Sequence, residues 1–110
     1  MSLEPDTARL AYWLVYAARR AGIPLMITSG RRSEEEQRVL VGQGRSQTMR
    51  SRHLAGEAFD VDVAGLGRDQ VPRWVWDALG PYGESLGLDW GGRWRTLVDL
   101  GHFELRRARF

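Results

Sequence analysis

The chain has 110 residues, a hydrophobic share of 43%, five tryptophans and a formal net charge of +2, the proportions of a single domain (residues 1–110) with one modest core. It has no cysteine, which excludes disulfides and thiolate ligands and leaves nitrogen and oxygen to build any metal site. The positive charge, carried by arginine, tolerates an anionic partner without pointing to nucleic acid. No apolar run reaches the ~18 residues of a membrane span.

Taken in chain order, Asp6 or Thr7 is positioned to cap a first helix. Its apolar residues Leu10, Trp13, Leu14, Ala17, Ala18 and Ala21 recur at three- and four-residue steps, and Gly22 ends it. Pro24 to Thr28 reads as a short buried strand. Ser33-Glu34-Glu35-Glu36 is a capping box that opens a second helix, which stops near Gly42. From Gly42 to Arg52 the chain is polar and without period, a loop long enough to expect a role beside a cleft.

Glu57 to Val63 alternates, with Phe59, Val61 and Val63 on one face and Ala58, Asp60 and Asp62 on the other. Asp62 is read as an edge carboxylate facing water rather than a partner of Asp60. Val71 to Leu86 has helical spacing that Gly80-Pro81 should break or kink. Leu88 to Trp94 reads as a turn between aromatic residues, with Trp90 and Trp94 as core or cleft walls. His102 to Leu105 closes the chain as a strand. The order of elements predicts an α+β fold, a small and mostly antiparallel sheet flanked by helices.

The two histidines of the chain, His53 and His102, both stand in short motifs rich in metal-ligating types. His53, Asp60 and His102 offer two imidazoles and one carboxylate, a set that suits catalytic zinc because one tetrahedral position stays open for water. His53 and Asp60 are seven residues apart, an odd spacing that would put them on opposite faces of an unbroken strand. They converge if the chain turns between them, and Gly56 is the residue suited to that turn. Asp99, three residues before His102, is either a fourth ligand or a general base; hydrolysis needs the base. Ser51 has no base beside it and is taken as a polar residue lining the site.

These motifs resemble those of the zinc D-alanyl-D-alanine carboxypeptidases and L-alanyl-D-glutamate endopeptidases, including compact phage endolysins. The pattern Ser-x-His-x-x-Gly-x-Ala-x-Asp is met by Ser51, His53, Gly56, Ala58 and Asp60, and Asp-x-x-His-Phe-Glu by Asp99, His102, Phe103 and Glu104. A third, Ser-Gly-x-Arg-Ser with a later glutamine, is met by Ser29, Gly30, Arg32, Ser33 and Gln37. The resemblance implies a hedgehog/D-Ala-D-Ala peptidase-like fold and Zn2+ on His53, Asp60 and His102. It implies Asp99 as acid/base, Arg32 at the active site on the substrate side, and Ser51 and Gln37 beside the substrate.

The implied substrate is the peptidoglycan stem peptide, cut between L-alanine and D-glutamate. The stretch Leu88 to Trp94 is similar to the endolysin branch. A D-alanyl-D-alanine carboxypeptidase is the alternative, and a non-catalytic zinc-containing wall-binding module is the reading of another class. No nucleic acid partner and no integral membrane association are expected, and a monomer is. The N-terminus lacks the pattern of a secretory signal and six residues follow Glu104. The expectation is therefore a protein made in the cytoplasm, reaching the wall after release or delivery, with no separate wall-binding domain.

Overall fold

The computed structural model describes residues 3–29, Val39, Gly42 and 55–106. Helix α1 spans Pro5–Arg20 and α2 spans Arg73–Leu86. Strands β1 (Leu25–Ser29), β2 (Ala58–Val63), β3 (Leu88–Trp90) and β4 (His102–Leu105) form one antiparallel sheet in the order β1-β2-β4-β3. The architecture is α+β, as the order of elements predicts. The second helix read from Ser33 and the loop before Ser51 lie outside the described residues, apart from Val39 and Gly42, which are helical. No helix among the described residues is long and apolar enough to cross a membrane.

Helix α1 starts earlier than its polar residues suggest. Its N-cap is Glu4, whose carboxylate accepts from the Asp6 and Thr7 amides at 2.8 and 3.1 Å and from the Thr7 hydroxyl at 3.0 Å. Pro5 sits at the first helical position, where its missing N–H costs nothing and its fixed φ is already helical. The longer glutamate arm therefore does what Asp6 or Thr7 would have done one turn later. The buried stripe is Thr7, Ala11, Leu14 and Ala18, so small residues set the approach of α1 to the sheet and to α2. Trp13, expected on that stripe, is 46% exposed and clusters instead with Tyr12 and Tyr16 on the outer face.

Helix α2 runs unbroken through Pro81, against the expected break at Gly80-Pro81. An interior proline loses one hydrogen bond and costs ~3 kcal/mol. Here Pro81 and Asp77, whose carbonyl is left unpaired by it, are both exposed, so water can satisfy that carbonyl. Packing holds the helix on the other side: a Cβ at Gly80 would lie 2.3 Å from the Trp90 ring, and one at Gly83 would lie 2.6 Å from Phe103. The two glycines let the helix backbone rest directly on β3 and β4.

The segment read as a turn from Leu88 to Trp94 begins as strand β3, an edge strand whose Leu88 and Trp90 pair with Leu105 and Phe103. Only Gly91–Arg93 turns, as a single 3-10 turn. Three strand residues are too few for an alternation to show in sequence, and Trp90 is buried because β4 supplies its partner. On the core side Phe59 stacks on Phe103 at 5.8 Å and joins Leu14, Leu25, Val61, Trp76, Leu79 and Leu88. Both helices cover that face. The opposite face of the sheet carries Asp60, Asp62, His102 and Glu104, as the two-residue period of a strand requires.

Candidate active site

Strand pairing brings two of the three candidate ligands together. Asp60 on β2 stands opposite His102 on β4 in the antiparallel register, and His102 Nδ1 lies 3.1 Å from Asp60 Oδ1. Glu104, two residues along β4, points to the same face, and its Oε1 is 2.9 Å from His102 Nε2. The imidazole is thus held between two carboxylates and is 5% exposed. Burial disfavours its charge, but the hydrogen bonds to Asp60 and Glu104 and their negative charge outweigh that, and the His102 pKa rises from 6.5 to about 9. Trp94, 38% exposed, places its ring 4.7 Å from the imidazole and forms a wall of the site, while Trp90 belongs to the core.

Asp99 comes from the loop that follows the Gly91–Arg93 turn. Its amide donates to the Gly91 carbonyl at 3.1 Å, and its carbonyl accepts from the His102 amide at 3.2 Å. A Cβ on Gly91 would lie 2.5 Å from the Asp99 carbonyl oxygen, so the loop can close only over a residue without a side chain. The indole Nε1 of Trp90 donates to the Leu100 carbonyl at 2.8 Å and pins the same loop from below. Ligand atoms of Asp60, Asp99 and His102 consequently lie within 4.8 Å of one another.

This donor set suits a metal ion bound through nitrogen and oxygen. It combines one buried imidazole with two partly buried carboxylates, and Glu104 on the second ring nitrogen is the outer partner that orients a ligating histidine. A buried imidazole flanked by acids is costly unless a cation, a proton or a metal, balances them.

Of the other residues singled out in the sequence, Arg32, Gln37, Ser51 and His53 lie outside the described residues. The turn needed between His53 and Asp60 is present, since Gly56 adopts φ +71 in a turn just before β2. Asp62 does not simply face water. It accepts from Arg68 Nε at 2.5 Å and from the Thr28 hydroxyl at 3.3 Å.

Arg68 is the residue that sequence reasoning missed. It sits in a 3-10 turn, Arg68–Gln70, after β2, and its Nη1 also donates to Asp99 Oδ1 at 2.8 Å. Its guanidinium lies 5.8 Å from the Trp76 ring centroid. Partial burial disfavours its charge, but bonds to Asp62 and Asp99 more than compensate and raise its pKa above the ordinary value. No spacing relates residue 68 to 99, so no sequence period could have signalled the pair.

The sheet carries a histidine–carboxylate cluster on its open face with the donor types of a metal centre, and residues 44–105 match the family described as D-alanyl-D-alanine carboxypeptidase. The chain belongs to that family of peptidases. It is 34% identical to the L-alanyl-D-glutamate peptidase of Listeria phage A118 over 93% of its own length and 37% of the relative's, so it spans little more than a third of that protein. The Serratia marcescens L-Ala D-Glu endopeptidase ChiX is 32% identical, with a TM-score of 0.75 over 94% of this chain and 80% of that one. The fold is shared, at 16% identity and a TM-score of 0.71, with the vancomycin resistance D,D-pentapeptidase VanY, whose structure is a Zn(II) complex; the match covers 94% of this chain and 72% of VanY.

Proposed function

We propose that this domain is a zinc peptidase that hydrolyses peptidoglycan stem peptides between L-alanine and D-glutamate. The observation that carries the reading is the cross-strand pair Asp60–His102 with Asp99 within ligand reach. The specific bond is supported by the names of the Listeria phage and Serratia relatives. His53, Asp60 and His102 would hold the metal. When bound, zinc polarises a carbonyl and lowers the pKa of water.

The protein's own groups do the rest. Asp99 accepts a proton from the attacking water and delivers it to the amine nitrogen as the peptide C–N bond breaks and a C–O bond forms. Glu104 on Nε2 orients the His102 ring and turns Nδ1 toward Asp60, the side on which the metal would be held. Arg32 pairs with the D-glutamate carboxylate or with the oxygen of the carbonyl under attack, and Ser51 and Gln37 line the substrate. The protein acts as a monomer on the wall, after release or delivery from the cell that makes it.

Mass spectrometry of digested peptidoglycan tests the bond. The expected products are a new C-terminal L-alanine and a new N-terminal D-glutamate, formed even from muropeptides that lack the terminal D-alanines. D-alanine as the sole product would instead establish the carboxypeptidase that the family's description favours. No product from wall or muropeptide, with wall binding retained, would leave the non-catalytic module. Arg32→Ala should cost about 2–4 kcal/mol of transition-state stabilisation.

A further inference from the structure

Asp60, Asp99 and His102 lie close enough for all three to ligate one ion, yet a general base must keep its carboxylate off the metal. Something must hold Asp99 to one role. Arg68 is the group in position to do so. Both hydrogen bonds that the Asp99 side chain makes among the described residues fall on Oδ1, one from Arg68 Nη1 at 2.8 Å and one from the Gly101 amide at 3.3 Å.

Arg68 is itself immobilised. Its Nε is bound to Asp62 at 2.5 Å and its Nη2 to the Val61 carbonyl at 3.3 Å, so the fork is fixed to β2, the strand that carries Asp60. Gly101 leaves the room this requires, because a Cβ there would lie 2.8 Å from the Arg68 guanidinium carbon. A planar guanidinium can grip two carboxylates and a carbonyl at fixed angles, which a lysine ammonium cannot.

We propose that Arg68 is a positioning residue that holds Asp99 by Oδ1, keeps it out of the metal's ligand set and so reserves it as the proton acceptor. The inference rests on the reading of Asp99 as the base. Arg68 touches no reacting atom; it acts through Asp99, anchored by Asp62.

The test is a double-variant cycle with Arg68→Gln, Asp99→Asn and the pair together, read by kcat and KM on a muropeptide and by the visible spectrum of the cobalt(II)-substituted protein. Arg68→Gln should lower kcat by about 10- to 100-fold, the usual range for a group that orients a site residue, with KM little changed. On the Asp99→Asn background it should have no further effect. The cobalt bands should shift in Arg68→Gln, as Asp99 joins the ligands, and return to the parent's in the double variant.

A near-normal kcat, a loss that persists in full on the Asp99→Asn background, or an unshifted cobalt spectrum in Arg68→Gln would each overturn the inference. If Asp99→Asn alone turned over normally, the base assignment would fail as well, which separates the two claims. Should Arg68→Gln not fold, Asp62→Asn removes only the anchor. It should lower kcat several-fold at unchanged KM, and an unchanged kcat would overturn the proposal.

Discussion

Asp60 and His102 face each other across the β2–β4 ladder, with 3.1 Å between Asp60 Oδ1 and His102 Nδ1. The strand register sets that distance, so the two groups are pre-organised by the hydrogen-bonded sheet and by the Phe59–Phe103 stack directly beneath them rather than by flexible loops.

Removal of either partner should therefore abolish metal binding. His102→Ala and Asp60→Ala are expected to lose bound zinc in elemental analysis and to lose hydrolysis in parallel, while far-UV circular dichroism keeps the parent's shape. His53→Ala should behave alike. Full zinc content in His102→Ala would remove this cluster from consideration as the metal centre.

Asp99→Asn separates base from ligand. The variant is expected to retain zinc and to lose turnover by roughly 10²-fold or more, the scale of general acid–base work. Metal content and turnover should be measured on one preparation. Loss of the metal along with activity would instead make Asp99 a ligand.

The metal-free protein should depend on pH through His102. Its folded pKa, about 9, lies above the ordinary 6.5, so folding is favoured by proton binding. That stabilisation is complete below the unfolded value and is lost as pH rises through about 9. The shift corresponds to about 3 kcal/mol. Denaturant midpoints of the chelated protein should fall between about pH 6 and pH 10, and His102→Gln should remove most of the slope. A flat profile in the parent would contradict the geometry. Zinc added at neutral pH must displace this proton, which unbuffered titration can count.

Two glycines should separate stability from activity. A methyl at Gly83 would press on Phe103 Cε1 at 2.6 Å. Overpacking of ~1–3 kcal/mol then exceeds the gain of ~1 kcal/mol from alanine in a helix. Gly83→Ala should lower the melting temperature by several degrees. A methyl at Gly91 meets backbone, the Asp99 carbonyl at 2.5 Å, so Gly91→Ala should displace the loop and depress turnover more than melting temperature. Equal activity in Gly91→Ala and the parent would show that the loop can yield.

What the sequence determined by itself was whatever depends on short-range period. The alternation from Phe59 to Val63 and the order of elements held because one face of β2 packs into the core and the other carries the partly buried carboxylates Asp60 and Asp62. Asp99 stands on the same side as His102, as their three-residue spacing suggested, and Gly56 makes the turn its position required. The peptidase family was legible in the same residues.

The tertiary structure decided what depends on partners distant in the chain. Leu88–Trp90 is a strand only because β4 runs beside it, and Pro81 stays helical only because Gly80 and Gly83 seat the helix on Trp90 and Phe103. Trp13 faces outward because α1 approaches through alanines. Glu4 caps that helix because Pro5 begins it. The placement of Arg68 between Asp62 and Asp99 needed the folded chain most of all: 31 residues separate it from Asp99, and an ion pair formed across such a gap leaves no periodic trace in the sequence.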